Sequence, residues 1–149
     1  MKFVKRAAAA LAAFAVLAGA QASAQVPDPF ARELARQLAR IDQVLAGNNY
    51  SRAAGPFAGG LNPRVARRYP LSLRAGQDYR IVGVCESRCS DLDLRLYDPS
   101  GVVIAEDVLR DDTPVLSVRP VLTGQHTVEV VMYGCSAEPC WYAFNVYSR

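Results

Sequence analysis

Acidic side chains are the residues of this chain whose types and spacing could do chemistry. Asp91 and Asp93 open an alternating run, DLDLRLYD, and further acids follow at Asp107, Asp111 and Asp112. Calcium takes several carboxylate oxygens among its six to eight ligands, so these five acids are candidate calcium ligands. The chain lacks the Asp-rich, glycine-containing loop of an EF-hand, so the motif itself does not assign the metal.

The same acids have two other interpretations. They could accept hydrogen bonds from loop backbone or pair with Arg88 or Arg110, as acids in ordinary turns do. Asp91 and Asp93 could also serve a small hydrolase, because alternate residues of a strand lie roughly 7 Å apart on one face. The only histidine, His126, opens a predicted strand, and no G-x-S-x-G motif occurs. We therefore expect His126 to be a surface residue, and we assign no catalytic residue.

The four cysteines occur as two close pairs, Cys85 with Cys89 and Cys135 with Cys140. In an oxidising compartment an even count predicts disulfides. Each pair brackets a short loop, so pairing within each loop is favoured, and cross-pairing of the two loops is the alternative. Zinc is not favoured, because the spacings are not those of tight two-residue knuckles.

The first 24 residues have the form of a cleavable export signal. A basic start at residues 2–6 precedes an apolar run at 7–20 and an A-x-A motif that ends at Ala24. We expect cleavage between Ala24 and Gln25. The mature chain is then expected to be periplasmic or secreted and to contain no membrane span.

Charge argues against a nucleic-acid partner. Three of the 17 Lys and Arg residues lie in the signal, which leaves 14 against 14 Asp and Glu. Phosphate binding requires a net basic surface or patch. Residues 25–70 carry seven Arg against three acids, and residues 71–149 carry seven Arg against eleven acids. This asymmetry favours docking of a basic arm on an acidic domain over binding of a polyanion.

An N-terminal arm, residues 25–47, is predicted to be one amphipathic helix. Its apolar residues recur every three or four positions, at Phe30, Leu34, Leu38, Ile41 and Leu45. Asp28 is the expected N-cap and Gly47 the expected stop. The apolar stripe is expected to dock on the rest of the chain or on a second copy, which would give a homodimer.

Residues 48–68 lose this periodicity and contain the turn pairs Gly55-Pro56, Gly59-Gly60 and Asn62-Pro63. They predict an irregular connector. Residues 69–149 have a period of two, which predicts an all-β domain: an antiparallel, jelly-roll-like β-sandwich of about seven strands. The strands are expected at Tyr69–Leu73, Tyr79–Cys85, Leu92–Tyr97, Val102–Ala105, Val115–Val118, His126–Tyr133 and Trp141–Tyr147. If successive strands reverse direction, both cysteine loops and the acidic loop share one end.

The segments LRAGQDYRIVGVC, CSDLDLRLYDPSGVVIAEDVLRDDTPVLSVRP and TGQHTVEVVM resemble the bacterial pre-peptidase C-terminal domain family, over about residues 71–147. The resemblance implies a non-catalytic β-sandwich that in some members binds calcium, collagen or polysaccharide. This sequence departs from the family in its two close cysteine pairs and in having no preceding protease domain.

We therefore expect an exported, non-catalytic binding or accessory module with a protein or polysaccharide partner. A calcium-stabilised structural or interaction module is the first alternative, and a small hydrolase using the acids is the second.

Overall fold

The computed structural model describes residues 25–149. The export signal predicted for residues 1–24 lies outside the described residues, so its cleavage stays a prediction. The described part comprises one helix and eight strands: α1 (Asp28–Ala46), β1 (Ser51–Leu61), β2 (Val65–Leu73), β3 (Tyr79–Cys85), β4 (Cys89–Tyr97), β5 (Val103–Asp107), β6 (Val115–Val118), β7 (Gly124–Cys135) and β8 (Cys140–Ser148). Within these residues no helix is long and apolar enough to cross a membrane.

Two four-stranded antiparallel sheets face each other. One has the strand order β1-β8-β3-β6 and the other has β2-β7-β4-β5. This eight-strand order is that of a jelly roll, so the predicted all-β sandwich is confirmed with one strand more than expected. Helix α1 contacts β1, β3 and β8, and so covers the outer face of the first sheet. We call this the helix-covered sheet and the second the open sheet.

The predicted irregular connector at 48–68 is wrong. Residues Ser51–Leu61 form β1 and pair with β8, and β2 begins at Val65. The turn pair Gly55-Pro56 lies at a register shift between Ala54 and Phe57, where Gly55 has φ of 104°. Both β1 and β2 are edge strands, which tolerate proline and bulges that a central strand would not. The turn residues therefore interrupt a strand without ending it.

Strand β4 shows why the alternating residues fold as predicted. Leu92, Leu94 and Leu96 are fully buried in the core between the sheets. The intervening side chains lie on the other face of the open sheet. The central neighbour β7 contributes the buried residues Val128, Val130 and Met132 to the same core.

Helix α1 docks by apolar contact. Leu34 and Leu38 pack against Val84 and Ala143 on the outer face of the helix-covered sheet. The predicted stripe is therefore buried within the chain, and a homodimer through α1 stays a prediction that would have to use another helix face. Strand β8 is buried on both faces, because one packs in the core and the other under α1.

The helix ends differ slightly from expectation. Pro27, not Asp28, occupies the N-cap position and makes no side-chain capping bond, while Gly47 is the C-cap as predicted.

The charge asymmetry contributes less to docking than predicted. The helix arginines Arg32, Arg36 and Arg40 are exposed and form no ion pair with any residue of 25–149. Arg68 does meet the acidic half of the chain, through Glu129 at 2.7 Å.

Candidate functional site at the disulfide-bonded end

Four loops meet at one end of the sandwich: the three that alternation of strand direction predicts and the loop between β1 and β2. They are residues 62–64, 86–88, 108–114 and 136–139. Leu92 N donates to Asp111 O at 2.9 Å, and Ser136 N donates to Arg88 O at 3.0 Å. We call this the disulfide-bonded end, and the end that carries the turns at 74–78, 98–102 and 119–123 the opposite end.

Both disulfides lie there. Cys85 is bonded to Cys89 and Cys135 to Cys140, which is the pairing that the loop spacings favour. Cys89 lies opposite Cys135 in the β4–β7 register, so the two disulfide loops are neighbours. Such small rings restrain the loops locally and hold this end together.

Glu86 is a buried charge that sequence reasoning missed. It is fully buried in the first disulfide loop, where its carboxylate accepts bonds from Arg88 N at 2.8 Å, Arg88 Nε at 2.9 Å and Arg88 Nη2 at 2.6 Å. Burial by itself would raise the pKa of Glu86, but these hydrogen bonds and the Arg88 charge lower it overall. The guanidinium of Arg88 also lies 4.2 Å from the ring centroid of Phe30, so it connects the loop to α1.

The sequence signal for this ion pair was the spacing of Glu86 and Arg88 two residues apart inside a ring closed by Cys85 and Cys89. That signal does not tell a buried pair from a solvated one. In the fold, α1 contacts the first disulfide loop through Gln37 Nε2, which donates to Cys85 O at 2.9 Å, and the second disulfide loop contacts it through Ser136 N, which donates to Arg88 O at 3.0 Å.

Asp91 and Asp93 are buried, with 8% and 6% of their surface exposed. Burial, and secondarily nearby Asp111, raises the pKa of Asp91 despite Arg110. Burial, followed by the charge of Asp91, likewise raises the pKa of Asp93. Oδ1 of Asp91 is buried and has no hydrogen-bond partner among the described residues. Strands β4 and β7 lie so close together here that a Cβ atom added to Gly134 would be 2.9 Å from the Cβ atom of Asp91.

The other three predicted acids order the loop between β5 and β6. Asp107 accepts a bond from Val115 N at 2.8 Å, Asp111 from Thr113 N at 2.9 Å, and Asp112 from the Thr113 hydroxyl at 2.9 Å. The charges of Asp107 and Asp111 also raise the pKa of Asp93.

The fold therefore brings the five predicted acids to one end of the sandwich without forming a complete set of metal ligands from them. Residues 25–149 contain no group of three or more His, Cys, Asp or Glu placed to hold a metal ion. Calcium binding at these acids stays a prediction.

This β5–β6 loop presents apolar side chains outward. Val108 and Leu109 are exposed, with 69% of Leu109 accessible. The loop is nevertheless held to β3 and β4, because Gly83 N donates to Pro114 O at 2.9 Å and Leu92 N donates to Asp111 O at 2.9 Å. The arrangement is a preorganised loop with an exposed apolar tip, surrounded by carboxylates.

The expectation for His126 is wrong. Its side chain is fully buried beneath the open sheet, and Nδ1 lies 3.1 Å from Gly124 O. It belongs to the face of β7 that carries Val128 and Val130, so strand alternation turns it inward. A histidine enclosed in this way does not meet the geometric demand on a general base, which must reach a substrate proton.

A polar cluster on the open sheet also went unrecognised. Arg68 Nε donates to Glu129 at 2.7 Å, the Tyr97 hydroxyl donates to Glu129 at 3.0 Å, and Arg95 lies on the other side of the same carboxylate. Beside it is a shallow depression of about 620 Å³. These residues are neighbours only through the β2–β7–β4 register.

No protein-family model matches the chain, and neither does any curated protein. Among solved structures, the chain is similar in fold to PliG of Aeromonas hydrophila, a periplasmic inhibitor of g-type lysozyme. The TM-score is 0.50 at 13% identity, over 64% of this chain and 85% of that one. A glycosylation-associated protein (Gap123) complex from Streptococcus agalactiae aligns at a TM-score of 0.36 and 20% identity, over 51% of this chain and 25% of that one.

The likeness to PliG extends to the β-sandwich fold and no further. Together with the two disulfides, it defines this chain as a disulfide-bonded jelly roll with a docked N-terminal helix.

Proposed function

We propose that this chain is an exported, non-catalytic binding module of the pre-peptidase C-terminal type, and that it binds a protein through its disulfide-bonded end. The observation that carries the proposal is the β5–β6 loop, which is held by backbone hydrogen bonds and yet exposes Leu109. A rigid loop loses little conformational entropy on binding, and an exposed bulky side chain can act as an anchor in a partner's pocket.

Charge indicates the chemistry of the partner. Asp107 at the end of β5 and Asp111 and Asp112 in the loop stand against one basic residue of the loop, Arg110. Asp91 and Asp93 add two carboxylates directly below it. A cationic protein with an apolar pocket complements this surface, and opposite charges would speed the encounter of the two. PliG, which has a similar fold, is a periplasmic inhibitor of an enzyme, so enzymes of the cell envelope are the first class of partner to test.

The test is a binding measurement with immobilised mature chain, residues 25–149. The analytes are purified g-type lysozyme, as a defined probe, and proteins isolated from the host's envelope fraction. We expect saturable binding of a cationic protein, and Leu109→Asp should weaken it at least about tenfold, as loss of an interface anchor does.

The matched control is Val121→Asp. Val121 is 86% exposed in the turn between β6 and β7, at the opposite end. The Val121→Asp variant should leave binding unchanged. Equal losses in the two variants, or none with Leu109→Asp, would show that the disulfide-bonded end is not the binding surface. Hydrolysis by the purified chain that disappears in Asp91→Asn would favour the hydrolase alternative.

The unpartnered, buried Oδ1 of Asp91 favours a second candidate, a calcium-stabilised module. Calcium at this end would relieve the repulsion between Asp91 and Asp93 and satisfy that oxygen. The melting temperature should then rise with calcium relative to chelator in the native chain, but not in Asp91→Asn. Identical melting curves with calcium and with chelator would remove this candidate.

A further inference from the structure

At the opposite end of the sandwich, three arginines gather around one tyrosine. The guanidinium carbon of Arg149 lies 4.8 Å and that of Arg80 5.3 Å from the ring centroid of Tyr50. Arg119 joins this group through Asp78, whose carboxylate it shares with Arg149. Tyr50 directly precedes β1, and Arg80 lies near the start of β3, so the fold itself brings them together.

Among the acidic side chains of residues 25–149, only Asp78 pairs with these arginines. The same oxygen of Asp78 meets Arg119 Nη2 at 2.8 Å and Arg149 Nε at 3.6 Å. Arg80 forms no ion pair anywhere in residues 25–149, and its one side-chain bond is a long contact of 3.5 Å to its neighbour's carbonyl. Three guanidinium groups therefore share one acidic side chain, Asp78, within residues 25–149.

Tyr50 supplies an independent sign of a missing partner. Its side chain is only 6% exposed, and its hydroxyl is buried without a hydrogen-bond partner in the described structure. An unpaired buried hydroxyl is costly, and buried polar groups in folded proteins are normally satisfied. The side chains of Arg119 and Arg149 are 65% and 47% exposed, so they can move to admit a ligand.

We propose that Tyr50, Arg80, Arg119 and Arg149 form a binding site for a tetrahedral oxyanion, a phosphate or sulfate group. Guanidinium groups suit this ligand because their N–H groups pair with its oxygens at fixed geometry, and the tyrosine hydroxyl donates one further bond. The site is independent of the function proposed for the disulfide-bonded end, since it lies at the other end of the strands.

The experiment measures thermal unfolding of residues 25–149 in sodium phosphate and in sodium chloride of equal ionic strength, followed by titration calorimetry with inorganic phosphate. Phosphate should raise the melting temperature above its value in chloride. The double variant Arg80→Gln/Arg119→Gln should lose this rise. The double variant Arg32→Gln/Arg36→Gln, which removes the same charge from the exposed face of α1, should keep it.

Tyr50→Phe provides a second, conservative readout. It removes one neutral donor, so phosphate affinity should fall about fivefold while the chain stays folded. Titration with glycerol phosphate then separates the two sources of the ligand: tighter binding than inorganic phosphate indicates a headgroup or polymer, and weaker binding indicates the free ion.

If phosphate and chloride give the native chain the same melting temperature, the proposed site is wrong. So would a phosphate response in Arg80→Gln/Arg119→Gln equal to that of the α1 control.

Discussion

At the scale of single residues, the disulfide-bonded end contains two kinds of buried carboxylate. Glu86 is fully paired, whereas Asp91 lacks a partner for one oxygen and Asp93 lies beside Asp91. The shifts in pKa are therefore opposite: down for Glu86 and up for the two aspartates. Each direction gives a pH dependence of stability that can be measured.

Glu86→Gln should destabilise the fold by about 2–4 kcal/mol at neutral pH, because it leaves Arg88 without its buried partner. The lowered pKa means that the native carboxylate stabilises the fold above its ordinary pKa, and that this contribution is lost as pH falls through the folded-state value. The difference between native and variant, measured by denaturant unfolding, should therefore shrink in acid.

Glu138→Gln is the control for this change, because Glu138 is exposed in the neighbouring disulfide loop. It should shift stability by less than about 0.5 kcal/mol. A similar small shift for Glu86→Gln would mean that the ion pair with Arg88 contributes little.

Asp93→Asn should have the opposite effect on the free energy of unfolding and should stabilise the fold. Its raised pKa means that the folded state favours the protonated acid, so stability is lost as pH rises from the ordinary aspartate value through the folded-state value. The amide removes that cost, and we expect a gain of about 0.5–2 kcal/mol at pH 7 that disappears in acid. Thermal melts at both pH values measure it, with Asp112→Asn, at an exposed turn, as the control. Destabilisation at pH 7 would contradict the prediction.

At the scale of elements, the helix and the strands differ in how far sequence identifies their partners. The spacing of Leu34 and Leu38 predicts a helix with one buried face, but the residues that cover this face, Val84 and Ala143, lie in strands far along the chain. Residues 51–61 show the converse: local turn chemistry suggested a loop, and pairing with β8 made a strand.

Leu38→Ala should therefore undock α1 more readily, at a cost of about 2–5 kcal/mol. Hydrogen exchange would report faster exchange across Asp28–Ala46, and denaturant unfolding would report the loss in free energy. Arg36→Ala, on the exposed face of the same helix, should change the stability by less than about 0.5 kcal/mol. An equally small effect of Leu38→Ala would show that docking of α1 contributes little to the fold.

At the scale of the whole molecule, the sandwich core and the disulfides stabilise different parts. The main core cluster joins strands of both sheets, whereas each disulfide closes a ring at one end. Loss of the disulfides should therefore loosen the loops before it affects the sheets.

Replacing all four cysteines with serine should cost about 2 kcal/mol for each ring, by loss of the restraint on the unfolded chain. Far-ultraviolet circular dichroism should still report β-structure, with a lower melting temperature and faster hydrogen exchange in residues 86–88 and 136–139. Complete loss of β-structure at room temperature would show that the rings are required for folding of the core.

The sequence by itself determined the properties that depend on neighbours along the chain. The period of two in DLDLRLYD placed three leucines in the core, the helical spacing from Phe30 to Leu45 defined α1, and the short cysteine spacings favoured the observed disulfides. Tertiary structure alone decided what depends on distant partners. Burial of Glu86 and Asp91, strand formation at 51–61, and the gathering of Arg80, Arg119 and Arg149 at Tyr50 all arise when the two sheets and α1 close on one another. Solvent exposure and charge balance depend on groups that are dozens of residues away in sequence, so local periodicity does not predict them.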